Sequence, residues 1–406
     1  SFIFALSSLF ASCSNELDEA LQPANNGTLQ FVVSDFPMFG EGIQTRVIGT
    51  EDPGKTAWEN GDQIIVTLIS QKYGEQAVAL TYNGSSWSTE ASLSYLENET
   101  PSVSVFYAPC YEVTEEGTMQ LRSGMQLGMT EYLSGNYEIE NGIMTITFEG
   151  AIRTYSRLRI AGLANQTLTV TTTDFTPAGA TEVATAAYTL NTDNNGNAFL
   201  YGVFAEDATV SVKQGDITLR DYTFSADKNP NGTEHNKSYA LDARPVIDGT
   251  LGGKATAEES DITALVEQLK AYVDKGITTI IVPGTEYAMY KSNLGTIPAF
   301  AEALYLLTDL NEDSPYCGTI DLILPDATEI IDFSFDSADA LKSITLPKVT
   351  TVGDGAFYGC YYLQTITFGS VVTAINHNTK AEFHWVGKKV EGCDLVLNRE
   401  QVNAEA

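Results

Sequence analysis

Short hydrophobic runs alternate with polar clusters over the first 247 positions of the chain. The runs are rich in Val, Thr, Tyr and Phe, and Gly, Asn, Asp and Pro separate them, a pattern typical of antiparallel β-sandwiches. The predicted strands span 29–34, 63–69, 103–108, 143–149, 155–160, 166–172, 199–204, 208–213 and 219–224. The segment 191–199, NTDNNGNAF, has Asp and Asn at calcium-loop spacing but lacks the closing glutamate. We therefore predict a hairpin turn there.

The pattern changes after residue 247, where a helical periodicity appears at 256–276. Thr256 and Glu259 predict a capping box at its start, and Gly276 predicts its end. A buried strand, TTIIVPG, is expected to follow. The apolar residues at helical spacing are Ile262, Leu265, Val266, Leu269 and Val273.

Two consecutive segments, 320–341 and 342–363, match at a constant offset of 22 residues, and 364–375 begins a third copy. One short strand in each copy predicts a solenoid of the leucine-rich-repeat type. The segment 298–317 departs from the repeat and predicts an inserted helix and loop. The matched pairs are Leu322 with Ile344, Leu324 with Leu346, Pro325 with Pro347, Ile330 with Val352, Phe335 with Phe357 and Leu341 with Leu363.

The same offset aligns Cys360 with Ala338, so the site accepts a small apolar side chain and does not require sulfur. We predict that Cys360 is a buried thiol. Cys110, Cys317 and Cys393 show no pairing pattern, and we predict no obligatory disulfide.

Charge and composition exclude several classes of function. The chain of 406 residues carries 53 acidic and 22 basic side chains, a formal net charge of −31, and no run of Lys or Arg. This field repels phosphates, so nucleic acid is excluded as a partner. Three histidines, no CxxC or CxxH spacing and no GxSxG or HExxH motif leave little chemistry for catalysis. We predict no enzymatic activity, no metal and no cofactor.

One motif matches a nucleotide-binding signature by its letters alone. GTEDPGKT, Gly49–Thr56, fits the phosphate-binding loop pattern G-x-x-x-x-G-K-[ST]. A working loop opens a helix, whereas here a turn at Asn60-Gly61-Asp62 and a strand follow. Glu51 and Asp52 would also repel a triphosphate. We predict a hairpin loop and no nucleotide.

The first residues predict export. FIFALSSLFA, residues 2–11, is too short to span a membrane but has the length of the hydrophobic region of a signal peptide. The sequence LFASC that ends at Cys13 resembles a bacterial lipobox. The resemblance implies that Cys13 carries lipid, that residues 1–27 are a signal remnant and tether, and that the protein is a surface-exposed lipoprotein of the cell outer membrane. A chance match or a buried N-terminal strand is the alternative.

Residues 28–247 resemble bacterial fimbrillins, the subunits of type V pili. The matching features are Thr45-Arg46 before Trp58 and Gly61-Asp62, the strand pair within 144–163, and NKSYALDARPVI at 236–247. The resemblance implies two antiparallel, transthyretin-like β-sandwich subdomains, at 28–150 and 151–247. It also implies cleavage after Arg46 by an arginine-specific protease, with a neighbour's strand replacing the first strand. Alternatively, Arg46 is an ordinary exposed arginine and the lipid anchor is permanent.

The segment LKSITLPKVTTVGDGAFYGCYYLQTITF resembles the BspA-type leucine-rich repeat, common on bacterial and protozoan surfaces. We expect 248–406 to form a short α/β leucine-rich-repeat solenoid, with EGCDLVLN at 391–398 as its closing strand. Tyr358, Tyr361 and Tyr362 fall in one repeat and are candidates for a binding surface, because tyrosine is efficient at contact surfaces. Packing against the next repeat is the alternative.

The predicted fold is therefore mainly β, with two sandwiches followed by a solenoid. The predicted function is adhesion, as a pilus accessory or tip subunit with the repeats as binding module. The expected partners are other pilus subunits or a host surface protein or glycan, and the fimbrium is a second expected location. The alternative is a permanently lipid-anchored outer-surface protein that binds host matrix or glycan without entering pili.

Overall fold

The computed structural model describes residues 30–37, 54–96, 99–140, 142–148, 153–227, 229–293, 295–375 and 385–397. The protein is mainly β within these ranges, as predicted, and they contain two α-helices. Neither helix is long and apolar enough to span a membrane. Cys13 and Arg46 lie outside the described residues.

The first sandwich is built from one sheet that bends over its own core. Seven strands follow the order β1-β9-β8-β5-β2-β3-β4, and β6 and β7 form a separate hairpin. The sheet bends at β8, which pairs with β5 over 133–135 and with β9 over 136–140, and this brings β1 beside β4. The strands are β1 (Gln30–Val33), β2 (Gln63–Ser70), β3 (Gly74–Tyr82), β4 (Trp87–Ser88), β5 (Ser102–Tyr107), β6 (Tyr111–Val113), β7 (Met119–Leu121), β8 (Leu133–Glu140) and β9 (Ile143–Thr147).

The second sandwich depends on one long strand, β11, that belongs to both of its layers. Its first part pairs with β12 and β14, and its last residues pair with β13. A bulge between Thr172 and Phe175, with Asp174 in the left-handed region at φ 49°, turns the strand from one layer to the other. The strands are β10 (Ser156–Ala161), β11 (Thr167–Pro177), β12 (Ala184–Asn191), β13 (Asn197–Phe204), β14 (Thr209–Gln214), β15 (Ile217–Thr223) and β16 (Ser238–Asp242).

Most pairings in the two sandwiches are antiparallel, as predicted, but each sandwich has one parallel edge pair. β1 runs parallel to β9 in the first, and β16 runs parallel to β10 in the second. A turn lies at 191–199 and joins β12 to β13, but the prediction of a hairpin is wrong, because β12 pairs with β11 while β13 pairs with β10 and the end of β11. Asp193 Oδ1 accepts hydrogen bonds from the backbone N–H groups of Asn195 and Asn197 at 2.8 and 2.9 Å.

Beyond the sandwiches the chain forms a parallel solenoid. Its main sheet has the order β17-β20-β22-β24-β26, and the short strands β21, β23 and β25 form a second sheet. The elements are α1 (Glu259–Asp274), β17 (Thr279–Ile281), β18 (Met289–Lys291), β19 (Thr296–Pro298), α2 (Ala299–Leu306), β20 (Ile320–Ile323), β21 (Glu329–Ile330), β22 (Leu341–Leu346), β23 (Thr351–Val352), β24 (Thr365–Phe368), β25 (Ala374–Ile375) and β26 (Asp394–Val396).

The sheet register confirms the repeat of 22 residues. Leu322 lies opposite Ile344, which in turn lies opposite Ile366. The inserted helix predicted within 298–317 is α2, and the predicted closing strand is β26, which pairs with β24. The matched residues other than Pro325 and Pro347 are all buried in one core, so the spacing of buried side chains sets the length of each coil.

The capping box predicted for α1 is wrong, because the observed one lies two residues later in the chain. The backbone N–H of Glu258 donates to Asp261 Oδ2 at 2.9 Å, so the capping pair is Glu258 with Asp261 rather than Thr256 with Glu259. Thr256 is held extended because it forms a parallel β-bridge with Met289. The helix ends before Gly276, as predicted, and this glycine adopts φ 76°, a conformation that suits residues without Cβ.

Few residues separate the second sandwich from the solenoid. Ala243 is buried in the sandwich core, whereas Ile247 is buried in the solenoid core. Val246 forms a parallel bridge with Ile281 of β17, so the connecting segment extends the solenoid sheet by one short strand-like step.

Candidate exchangeable strand and repeat surface

Strand β1 lies at an edge of the first sandwich. Among the described strands it pairs only with β9, through the register Gln30 with Ile143 to Val33 with Ile146. Phe31 and Val33 pack against the sandwich core, while the intervening Val32 is 53% exposed. Buried and exposed side chains thus alternate along β1, as expected for a strand that covers a core with one face only.

The residues after β1 anchor it to the rest of the sandwich. The Trp58 indole Nε1–H donates to the Ser34 carbonyl oxygen at 2.8 Å, and the backbone N–H of Phe148 donates to Ser34 Oγ at 3.0 Å. Phe36 is buried, with 5% of its surface exposed. The segment from residue 30 to 37 is therefore held by its backbone and by three inward side chains.

Phe36 occupies a pocket made of aromatic rings and cations, which we call the Phe36 pocket. Trp58 and Tyr107 meet the ring edge-on, with centroid distances of 4.8 and 5.6 Å. The Arg153 guanidinium carbon lies 5.6 Å and Lys55 Nζ 5.8 Å from the ring centroid. Both cations are within the range of cation–π attraction.

The two cations of the Phe36 pocket are themselves held by carboxylates. Arg153 is buried and pairs with the buried Glu131, with Nη2 at 2.9 Å and Nε at 3.0 Å from Oε2. Lys55 Nζ lies 2.9 Å from Asp62 and 3.0 Å from Glu59. These pairs fix the positions of both positive charges around the ring.

Lys55 also bears on the phosphate-loop motif. Of that motif only Gly54, Lys55 and Thr56 are described, and the chain continues through a turn into β2 rather than into a helix. The ammonium that would bind phosphate is instead paired with Asp62 and Glu59. The remaining motif residues, including Glu51 and Asp52, lie outside the described ranges.

The three tyrosines of the repeat do not form one platform. Tyr358 and Tyr361 both contact Trp385, at centroid distances of 5.6 and 6.3 Å. Tyr362 points elsewhere, and its hydroxyl donates to the Glu312 carbonyl oxygen in the inserted loop at 2.7 Å. Tyr358 and Tyr361 thus lie around the same tryptophan, and Tyr362 belongs to a different contact.

Trp385 and Lys388 complete the cluster, and reasoning from sequence missed both. Trp385 is 44% exposed, and Lys388 Nζ lies 5.0 Å from its ring centroid and 5.9 Å from that of Tyr361. We call Tyr358, Tyr361, Trp385 and Lys388 the repeat aromatic cluster. The sequence feature that could have indicated this cluster is the single tryptophan beside two lysines in the stretch HWVGKK.

Comparisons with known proteins support the repeat assignment most directly. Residues 316–382 match the family model of the BspA type leucine rich repeat region (6 copies). The register above independently places three strands from this range, β20, β22 and β24, side by side in a parallel sheet, so the described part of this range is a leucine-rich-repeat solenoid. No curated protein matches the chain.

Similarity to solved structures is weak. A "putative cell adhesion protein" of Bacteroides fragilis NCTC 9343 is 11% identical, with 53% of this chain and 92% of that protein covered and a TM-score of 0.26. A variant of the shaft pilin SpaA of Lactobacillus rhamnosus GG is 11% identical, with 45% and 93% covered and a TM-score of 0.18. Scores this low do not define a shared fold.

Proposed function

We propose that this protein is a cell-surface adhesion protein with a binding rather than a catalytic role. Its first sandwich would join a pilus by strand exchange, as an accessory or tip subunit, and its solenoid would bind a host protein or glycan. The proposed division is a tether at 1–27, sandwiches at 28–150 and 151–247, and the repeat domain at 248–406. Lipid on Cys13 would deliver it to the outer membrane.

The position of β1 is the observation that carries this proposal. β1 is an edge strand, and residue 46 lies in the sequence between two described segments of the sandwich, 30–37 and 54–96. Cleavage after Arg46 would leave β1 attached only through noncovalent contacts. Its departure would uncover the β9 edge and the core around Met144 and Ile146, which another strand could cover.

Limited proteolysis of the purified full chain tests this reading. We expect an arginine-specific protease to produce a new N-terminus at Val47 while far-UV circular dichroism and thermal unfolding show that the sandwiches remain folded. An Arg46→Lys variant is the matched control, because it keeps the positive charge but removes the arginine that the protease recognises. An intact Arg46 in the folded wild-type protein would eliminate strand exchange.

Membrane attachment requires a separate test, because it is independent of exchange. We expect Cys13→Ser to abolish association with the membrane fraction when the full precursor is expressed in its cell, without changing the folded domains. Continued association of this variant with membranes would exclude the lipobox.

The repeat aromatic cluster favours a second candidate, a permanently anchored binding protein that does not enter pili. An exposed tryptophan beside two tyrosines is typical of a contact surface. The expected result is that Trp385→Ala lowers binding of the protein to host matrix or glycan arrays while leaving Arg46 resistant to the protease. Binding that is unchanged in Trp385→Ala would assign the cluster to packing between repeat units.

A further inference from the structure

We infer that the Phe36 pocket selects an aromatic side chain in any strand that takes the place of β1. The biological occupant, an extended segment of another subunit, rests on the proposed strand exchange. The chemical preference of the pocket does not, because it follows from the groups around Phe36.

The arrangement around the ring is specific for a π-system. Trp58 and Tyr107 approach at interplanar angles of 89° and 86°, the edge-to-face geometry that aromatic rings prefer. An aliphatic side chain could fill the same volume but has no quadrupole for these edges to meet. The Phe36 pocket therefore selects its occupant by the shape of the side chain and also by the charge distribution of an aromatic ring.

The two cations strengthen the preference. Arg153 comes from the segment leading into β10, and Lys55 comes from the segment leading into β2, so they reach the ring from different parts of the chain. Glu131 fixes the guanidinium of Arg153, and Asp62 and Glu59 fix the ammonium of Lys55. Because these positions are set by ion pairs, an aliphatic occupant would remove the attraction that both cations have for the ring at position 36.

The same pocket also defines where the aromatic residue must stand. Trp58 donates its indole N–H to the carbonyl of Ser34, and its ring contacts Phe36 two residues later. Phe31 and Val33 supply the inward apolar positions before it. The occupant should therefore read apolar-x-apolar-x-x-aromatic, with the aromatic residue three positions after the second apolar one.

Chemical rescue of a cavity variant tests the preference in the full, uncut chain. In Phe36→Ala we expect phenol to raise the melting temperature and to bind at least fivefold more tightly than cyclohexanol, which has nearly the same size and the same hydroxyl. Ile344→Ala is the control, since Ile344 is fully buried and its neighbours in the solenoid sheet are the aliphatic Leu322 and Ile366. There the two ligands should differ by less than twofold. Equal binding of both ligands to Phe36→Ala would refute the inference.

A milder set of variants keeps the test decisive if Phe36→Ala does not fold. Phe36→Leu, Lys55→Met and their combination form a double-mutant cycle in the full chain. We expect the two changes to be coupled by at least threefold in the unfolding equilibrium constant, as measured by denaturant titration. Strict additivity would show that the ring and the cation do not interact.

A peptide experiment separates failure of this inference from failure of strand exchange. After cleavage at Arg46, the peptide TLQFVVSDFP and its Phe36→Leu counterpart compete for the β1 site. Tight binding of the first with at least fivefold weaker binding of the second supports both ideas. Equal binding removes the aromatic preference and leaves exchange intact. If neither peptide binds, exchange is wrong, and the phenol result alone decides the preference.

Discussion

Asp339 Oδ1 accepts a hydrogen bond from the backbone N–H of Tyr361, which stands 22 residues later in the next coil of the solenoid, at an N···O distance of 3.0 Å. Asp332 Oδ1 makes the equivalent bond to the backbone N–H of Asp354 at 2.8 Å. Carboxylates of one coil therefore satisfy backbone donors of the next, at positions where the sheet itself provides no partner.

Asp339 predicts a pH dependence of stability. Burial raises the pKa of Asp339 to about 6 from an ordinary 3.8. Between these values the folded state holds the proton more strongly than the unfolded state, so stability falls as pH rises from about 4 to 6. Asp339→Asn keeps the acceptor oxygen without the charge. We expect it to be more stable than wild type by about 1 kcal/mol at pH 7 and equal to it at pH 4, by urea titration.

Asp326 provides a control of opposite sign. Its hydrogen bond with Lys348 Nζ, at 2.8 Å, lowers the pKa of Asp326. Asp326→Asn should therefore be slightly less stable than wild type at pH 7, and this difference should shrink as the pH falls below the ordinary pKa of 3.8. A gain in stability for both variants at pH 7 would point to a general effect of net charge and would contradict the assignment to Asp339.

Gly202 in β13 should tolerate no side chain. A Cβ built there would lie 2.3 Å from the Phe175 ring and 2.4 Å from the Thr176 carbonyl oxygen. Gly202→Ala should lower the free energy of unfolding by about 3 kcal/mol through overpacking. Gly162→Ala is the matched control, since its Cβ would approach only to 3.4 Å, and it should change stability by less than about 0.5 kcal/mol. Chemical denaturation of both variants measures the difference.

Cys360 confirms that the repeat offset can identify buried positions. Both Cys360 and its counterpart Ala338 are fully buried, and burial raises the pKa of the Cys360 thiol. We expect Cys360→Ala to cost about 1 kcal/mol and Cys360→Leu about 2 kcal/mol or more, because the larger residue overpacks the core. In native protein, a thiol reagent followed by mass spectrometry should modify Cys317 and Cys393 before Cys360. Early labelling of Cys360 would contradict its burial.

Tyr362 should link the inserted loop to the repeats. Its hydroxyl bonds the Glu312 carbonyl oxygen, and Lys389 Nζ lies 2.5 Å from the Glu312 carboxylate, so both contacts hold the same loop residue. Tyr362→Phe should cost about 1 kcal/mol. The Tyr361 hydroxyl has no hydrogen-bond partner among the described residues, so Tyr361→Phe should be nearly neutral. Thermal unfolding distinguishes them, and equal losses would refute the role of the Tyr362 hydroxyl.

Sequence patterns predicted features that depend on local spacing. The hydrophobic run predicted as a strand at 63–69 is β2 (Gln63–Ser70), and the offset of 22 between Leu322 and Ile344 is the register of the solenoid sheet. Both succeed because a side chain's burial is set by its position within a regular element, which the sequence shows directly.

Contacts between distant segments were not predictable in the same way. Nothing in the sequence indicates that Phe36 meets Arg153, because the meeting depends on how the two sandwiches join. The parallel direction of β1 likewise depends on the path of the chain before β2. Thr256 failed as a cap for the same reason, since its partner Met289 belongs to a later hairpin. At Thr256 the bridge to Met289 therefore outweighs the local preference of threonine for a helix N-cap.

The short connection at Val246 has a mechanical consequence. The N–H of Ile247 bonds the Ile281 carbonyl, and the N–H of Ile281 bonds the Pro245 carbonyl, each at 2.9 Å. The two segments run in the same direction, so tension along them would load both hydrogen bonds in shear at the same time. Two hydrogen bonds that are loaded at the same time share the applied force, whereas bonds that open one after another each carry all of it in turn. A protein that grips a surface at one end and is held at the other would thus be reinforced where its two architectures meet.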